Sequence, residues 1–346
     1  MKGTGTRTAR AILLVVLALL SVPAGAAAQT PGEVFRKVTP SVVVIRARGS
    51  EVTAAGQVRF LETGSGVLIS ADGKVMTAAH VVASMDEISV EFLGGETVTA
   101  KVIASESAAD LSLIQLERVP AGARVAKMAN SDSVRVGDPV YIVGAPYGLS
   151  YSLSAGLISA RWAPNTVHRA MPLAEFFQTN ATINTGNSGG PMFNAAGEVI
   201  GIVSHNISKS GGSEGLGFVV TMKTAQQLLL EKKSFWGGID GQFLSDEMLD
   251  ILNVPNNMKG FLVKSVAKGS PGDEAGLVGG TKVFTVGGEQ FVLGGDIILS
   301  IEGVPADSAA SMMKIRDHLA TLKPGTALTA TVLRKGRVID LTGVVP

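Results

Sequence analysis

The chain has 346 residues, 46% hydrophobic and 17% charged, with a formal net charge of +1. That composition supports packed cores in about two domains and excludes a globally disordered chain. Lys2, Arg7 and Arg10 lie in the first 28 residues, so the remainder holds 27 basic and 29 acidic residues, which excludes a basic nucleic-acid surface.

The absence of cysteine rules out disulfides, thiolate nucleophiles and cysteine-ligated metals. Imidazole chemistry must use His80, His168, His205 or His318.

The three early cations precede an apolar run from Ala11 to Val22, then small residues 24–28 and Gln29. This is the order of a secretory signal peptide, with cleavage expected before Gln29. The run is short for a membrane span, which needs about 20 residues. The expectation for residues 1–28 is therefore export, to a bacterial periplasm, with a retained anchor as the alternative.

The body reads as many short strands. A helix over 32–38 comes first, then a β-branched strand at 41–45 and a polar stretch, 46–62, read as a loop. Residues 66–70 and 75–78 form a hairpin around Ala71-Asp72-Gly73-Lys74. His80 follows the second strand directly, among small residues, with room to face a cleft. Strands are expected at 88–92, 97–103 and 110–116, the last opened by Asp110. A second series runs through 139–144, 150–159, 176–179, 198–203 and 217–220. Residues 161–174 are irregular, and a helix at 224–233 closes the region.

Between the strands at 176–179 and 198–203 lies Asn184-Thr185-Gly186-Asn187-Ser188-Gly189-Gly190-Pro191. Its glycines accept backbone angles closed to other residues, and Pro191 fixes its own φ. Such a turn can hold Ser188 outward and leave N–H groups free for a bound oxygen, as an acyl-transfer nucleophile requires. Gly186-x-Ser188-x-Gly190 also fits an α/β-hydrolase elbow, but that elbow needs a helix directly after the serine and a later histidine. The glycines and proline oppose the helix. His80, Asp110 and Ser188 instead supply the order histidine, aspartate, serine. These features predict a mostly β chain with two β-barrels, near 37–120 and 130–222.

Thr77-Ala78-Ala79-His80, Asp110-Leu111-Ser112-Leu113-Ile114 and Gly186-Asn187-Ser188-Gly189-Gly190-Pro191 resemble the three catalytic motifs of trypsin-like serine proteases. Asn187 and the Gly64-Ser65-Gly66 lead-in are similar to the HtrA (Deg) branch, over residue 32 to the end. Ser112 departs from a frequent alanine, and Asn180 from a common aspartate. The resemblance implies a Ser188 nucleophile, a His80 base, an Asp110 orienter and an oxyanion hole of the Gly186 and Ser188 N–H groups. It places Thr182 at the base of a primary substrate pocket, with Ile183, Asn206 and Ile207 completing a small apolar site, and leaves His205 a structural role.

Composition shifts at Ser234. Beyond it come a helix near 246–252, a strand at 260–267, a short helix from Pro271, a Gly-rich hairpin at 279–288 and a strand at 294–301. A helix at 309–322 and strands at 327–333 and 337–341 follow. This order resembles the single PDZ domain of HtrA proteases, giving domains of 1–28, 29–234 and 235–346. Trp236-Gly237-Gly238-Ile239 would capture a peptide C-terminal carboxylate, with strand addition along 260–267. The whole resemblance implies an ATP-independent endoprotease for unfolded proteins, without metal or cofactor, assembled as trimers or their multiples. A chaperone-like peptide-binding scaffold and a serine esterase are the alternatives.

Overall fold

The computed structural model describes residues 29–345 apart from 150, 233, 252, 253, 255–257, 287 and 288. The segment read as a signal peptide lies outside the described residues. Helix α1 (Pro31–Val38) opens with a reciprocal cap. The Thr30 hydroxyl accepts from the Glu33 N–H at 3.3 Å, and the Glu33 carboxylate accepts from the Thr30 N–H at 2.8 Å.

Two closed six-stranded antiparallel barrels follow. The first contains β1 (Val42–Thr53), β2 (Gly56–Leu68), β3 (Lys74–Thr77), β4 (Glu87–Glu91), β5 (Thr97–Glu106) and β6 (Leu111–Leu116), in the order β1-β2-β3-β6-β5-β4. A short helix, α2 (Ala79–Val82), leaves β3. The second contains β7 (Pro139–Gly144), β8 (Ser152–Trp162), β9 (Phe176–Thr179), β10 (Pro191–Phe193), β11 (Val199–Asn206) and β12 (Gly217–Thr221), in the order β10-β11-β12-β9-β8-β7. Closure leaves neither barrel with an open sheet edge over its paired length. Each barrel has its own apolar interior, and a third core lies between them, joining Val67, Met76 and Leu111 to Tyr141, Phe176 and Phe193.

Residues 46–62, expected as a loop, are strand. β1 and β2 stay in register from Val42↔Val67 to Thr53↔Gly56. Their outer halves project beyond the barrel interior, where both faces meet water. Arg46, Arg48, Glu51, Arg59 and Glu62 can therefore occupy both faces, and the apolar alternation that signals a strand is lost. The closing helix is α3 (Met222–Ala225), continued by a wider π turn, Gln226–Glu231, that buries Leu228 and Leu229.

A third unit contains β13 (Ile239–Phe243), α4 (Asp246–Ile251), β14 (Phe261–Val266), α5 (Pro271–Glu274), β15 (Lys282–Val286), β16 (Glu289–Leu293), β17 (Ile297–Ile301), β18 (Val304–Pro305), α6 (Ala309–Leu319), β19 (Ala327–Arg334) and β20 (Arg337–Val344). Its main sheet runs β13-β14-β17-β19-β20, with β15 and β16 a separate pair. This order corrects the expected site of strand addition. β14, within 260–267, is already paired with β13 on one side and β17 on the other. β13, directly after the Trp236–Ile239 loop, is one edge of the sheet, and β20 is the other.

The barrels are fastened together at Ser65 on β2. Its N–H donates to the Ser188 carbonyl at 2.8 Å, and its hydroxyl donates to the Gly186 carbonyl at 2.7 Å. The same hydroxyl oxygen accepts from the Ala145 N–H at 3.0 Å. The Gly-rich turn thus lies backbone against backbone on β2. A Cβ on Gly189, at φ 79°, would lie 2.1 Å from Thr77 Oγ1 and 2.4 Å from the Ser65 carbonyl oxygen. Gly211 has a similar φ of 84° but open space around it. Gly189→Ala should lower the urea midpoint by an amount equivalent to well over the ~1 kcal/mol cost of the backbone angle alone, and Gly211→Ala by the equivalent of about that cost. Equal midpoints would show that the turn is not held against β2.

Candidate active site

The buried charge comes first. Asp110 is 3% exposed and sits at φ 53°, the left-handed residue closing a 3-10 turn over Ser107–Ala109. Aspartate tolerates that angle better than most residues. Glu106 caps the turn, its carboxylate accepting from the Ala108 N–H at 3.3 Å. The third unit reaches the same carboxylate through Arg316 Nη1, at 3.3 Å.

A buried carboxylate needs donors from every side. Asp110 Oδ1 accepts from the His80 N–H at 3.1 Å, and Oδ1 and Oδ2 lie 2.9 and 3.0 Å from His80 Nδ1. Ser204, on β11 of the second barrel, donates its hydroxyl to Oδ2. Burial alone would push the Asp110 carboxyl up, but the bonds from His80 and Ser204 outweigh it and hold it below the usual value. The His80 ring is shifted the other way. Burial pushes it down, and the Asp110 carboxylate, with a smaller contribution from Glu62, pushes it up past 6.5.

His80 stands on α2, and its side chain is 45% exposed, so the edge opposite Nδ1 can face a substrate. With Nδ1–H fixed on Asp110, the other ring nitrogen is the free base. Ser188 is in the same crevice. Its carbonyl is bound to β2, and its hydroxyl donates to the Ser204 carbonyl at 3.3 Å rather than to His80. The N–H groups of Gly186 and Ser188 have no acceptor among the described residues. Gly186, at φ 99°, could not carry a side chain, since a Cβ would lie 2.3 Å from the Ala145 carbonyl oxygen. Two unbonded donors beside a hydroxyl, with a carboxylate-held imidazole alongside, suit nucleophilic attack on a carbonyl and stabilisation of the resulting oxyanion.

Sequence reasoning noted Ser65 only within a family-like lead-in, without a role, and missed Ser204. Both are single hydroxyls on strands, and only the folded geometry gives them roles. The two departures from the family pattern leave the site intact. Ser112 is paired with Ser105 by a 2.8 Å hydroxyl bond, and Asn180 Oδ1 accepts from the Leu157 N–H at 2.8 Å, an acceptor function aspartate would share. His205 lies behind the carboxylate, its Nδ1 3.0 Å from Ser204 Oγ. Burial first, then His168, lowers it to about 4, so it is neutral at neutral pH.

The expected pocket is only partly assembled. Ile183 is 2% exposed, and its side chain fills the space a Cβ on Gly217 would need. Asn206 Nδ2 donates to the Ile183 carbonyl at 3.1 Å and the Gly212 carbonyl at 3.2 Å. Thr182 and Ile207 are exposed, so neither forms the base of an enclosed pocket. In the third unit, the N–H groups of Gly237 and Gly238 have no acceptor among the described residues, while both carbonyls are bonded, to Gly272 and Ala267. Gly238, at φ 69°, has no room for a side chain against Ser270. The Trp236 indole lies beside Gly238, where a Cβ would be 3.3 Å from its ring, and its N–H donates to the Ala83 carbonyl at 2.8 Å, at the end of α2. Among the described residues, no group of three or more His, Asp or Glu side chains is placed to hold a metal ion.

The model of the trypsin-like peptidase domain matches residues 64–202. The chain is 34% identical over 262 residues to a probable periplasmic serine endoprotease DegP-like from Hahella chejuensis, covering 73% of this chain and 54% of that protein. It thus spans about half the length of that relative. It is 31% identical over 354 residues to the periplasmic pH-dependent serine endoprotease DegQ of Escherichia coli, covering 94% of this chain and 72% of DegQ. Among solved structures it is similar to the HtrA-type protease AlgW with decapeptide, at 26% identity and a TM-score of 0.53 over 92% of this chain and 99% of that one.

The His80–Asp110 pair can be tested directly. The His80 ring should titrate above 6.5 by NMR, and Asp110→Asn should move its midpoint down, because the charge favouring the imidazolium is gone. A midpoint unmoved by the substitution would show that the carboxylate does not control the ring.

Proposed function

The chain belongs to the HtrA family of trypsin-like serine proteases, and on that premise we propose that it is an exported serine endopeptidase cleaving unfolded or misfolded polypeptides. The observation that carries this reading is the meeting of His80 and Asp110 from one barrel with Ser188 and two unbonded N–H groups from the other. In the proposed reaction, Ser188 Oγ attacks the peptide carbonyl and His80 takes its proton. The tetrahedral oxyanion sits on the Gly186 and Ser188 N–H groups. His80 then gives the proton to the leaving amine, and a water repeats the cycle on the acyl-enzyme. Asp110 keeps the imidazole in the required tautomer and stabilises its charged form. No nucleotide is needed for any step.

The Ser188 hydroxyl rests on the Ser204 carbonyl, which favours a low resting activity. A substrate pairing with the edge of β11 brings its own N–H to that carbonyl. The hydroxyl is then released to turn toward His80. Ile183, crowding Gly217, supports short aliphatic residues such as Val or Ala on the acyl side of the cleaved bond, and the pocket has no buried carboxylate for Lys or Arg.

The third unit is read as a PDZ domain that captures peptide C-termini. Gly237 and Gly238 would donate to the carboxylate, and the peptide strand would add to β13. Ile239 shares an apolar cluster with Met312, Ile315 and Leu319 of α6, which supports a groove between the two elements. Periplasmic location and assembly as trimers or their multiples complete the proposal, both by family likeness.

Ser188→Ala should abolish casein hydrolysis, a loss of at least about 10⁴-fold, while its circular dichroism spectrum and thermal midpoint match the parent. Undiminished hydrolysis in that variant would refute the assignment, and hydrolysis of simple esters without casein would favour an esterase.

A further inference from the structure

The leaving-group side of the crevice holds a carboxylate that the reaction above does not use. Because the Ser65 N–H on β2 reaches across to the Ser188 carbonyl, alternate residues of β2 direct their backbone groups toward the second barrel. Thr63, two residues earlier, therefore presents its N–H and C=O in the same direction, without a partner there among the described residues. β3 joins β2 only at Val67 and Leu68, so this edge of β2 is open at Thr63.

Side chains alternate along the strand, which puts Glu62 on the face of Gly64. That face looks at α2 and the nucleophile: a Cβ on Gly64 would lie 2.7 Å from Val81 and 3.0 Å from the Ser188 carbonyl oxygen. Glu62 lies one residue pair further out, about 7 Å along the strand. It is half-buried, its partner across the ladder is Ala47, and its carboxylate makes no hydrogen bond or ion pair among the described residues. The nearby cations of β1 are engaged elsewhere, Arg46 with Glu91 and Arg48 with Glu87. The Glu62 charge also acts on the His80 ring, a smaller upward push than that of Asp110.

The order of the reaction then fixes which part of the substrate passes Glu62. The acyl half lies along β11, where the Ser204 carbonyl and Asn206 are. The amine half must leave past His80, which protonates it, and so runs over Gly64 and Val81 along the open edge of β2. A half-buried carboxylate without a counter-ion there attracts a cationic side chain and repels an acidic one.

We infer that Glu62 is a specificity-determining residue for the leaving half of the substrate, selecting Lys or Arg within the first two residues after the cleaved bond. This inference rests on the endopeptidase reading. It also gives the two halves of the substrate different chemistries, a short aliphatic residue before the bond and a cation just after it.

The test uses three internally quenched peptides that differ only in the second residue after the cleaved bond: Lys, Gln or Glu. Each enzyme is scored by its kcat/KM ratios within this set. The parent should prefer Lys over Glu by roughly three- to tenfold. Glu62→Gln should flatten the ratio and Glu62→Lys invert it, and the parent's preference should shrink as salt is raised. If Ser188-dependent cleavage is present but the Lys-to-Glu ratio is the same in all three enzymes, the inference fails and the endopeptidase reading stands. If no peptide is cleaved in a Ser188-dependent way, both fail together.

Discussion

The buried carboxylate of Asp110 is the constraint on which the rest depends. A carboxylate at 3% exposure is tolerable only with several donors, and removing one partner of a buried pair typically costs about 3–5 kcal/mol. No single barrel supplies all the donors. His80 gives a backbone N–H and a ring nitrogen from the first, and Ser204 gives a hydroxyl from the second. Docking the barrels and completing the site are therefore one event. A chain with misaligned barrels would leave a charge in the core.

Ser65 serves the same seam from the other side. Its N–H holds the Ser188 carbonyl and its hydroxyl the Gly186 carbonyl. With those carbonyls committed to β2, the N–H groups of Gly186 and Ser188 remain available for a ligand. The glycines of the turn are needed because the backbones approach too closely for a Cβ, as the contacts at Gly186 and Gly189 show. The third unit is tied to the supports of both Asp110 and His80. Arg316 reaches the carboxylate that caps the Asp110 turn, and Trp236 reaches the end of the His80 helix.

Much of this was legible in the sequence. His80 after a strand, Asp110 opening one and Ser188 in a glycine turn could be named because each sits where local chemistry demands that residue type. The barrel strands were visible where one face is buried, as in β5 with its alternating exposure. The outer arm of β1 and β2 was not, because two wetted faces erase the alternation. Thr182 was misplaced because counting back from the nucleophile fixes a position in the chain and not its exposure. The strand that a peptide would join was also misassigned. β14 reads as a good strand, but sheet order, set by pairings as distant in the chain as Phe261↔Ile298, decides which strand keeps a free edge. Ser65 was visible only as part of a family-like lead-in and Ser204 not at all, since a hydroxyl on a strand is common and only its distant partner makes it matter.

The proposed convergence of side chains from two barrels on one reacting centre is open to a direct test. An experimental structure of the chain treated with a fluorophosphonate tests it most directly. Phosphorus should be bonded to Ser188 Oγ, its oxygen within about 3.2 Å of the Gly186 and Ser188 N–H groups, and His80 should still be paired with Asp110. An adduct on another residue, or a phosphoryl oxygen turned away from those two donors, would contradict it.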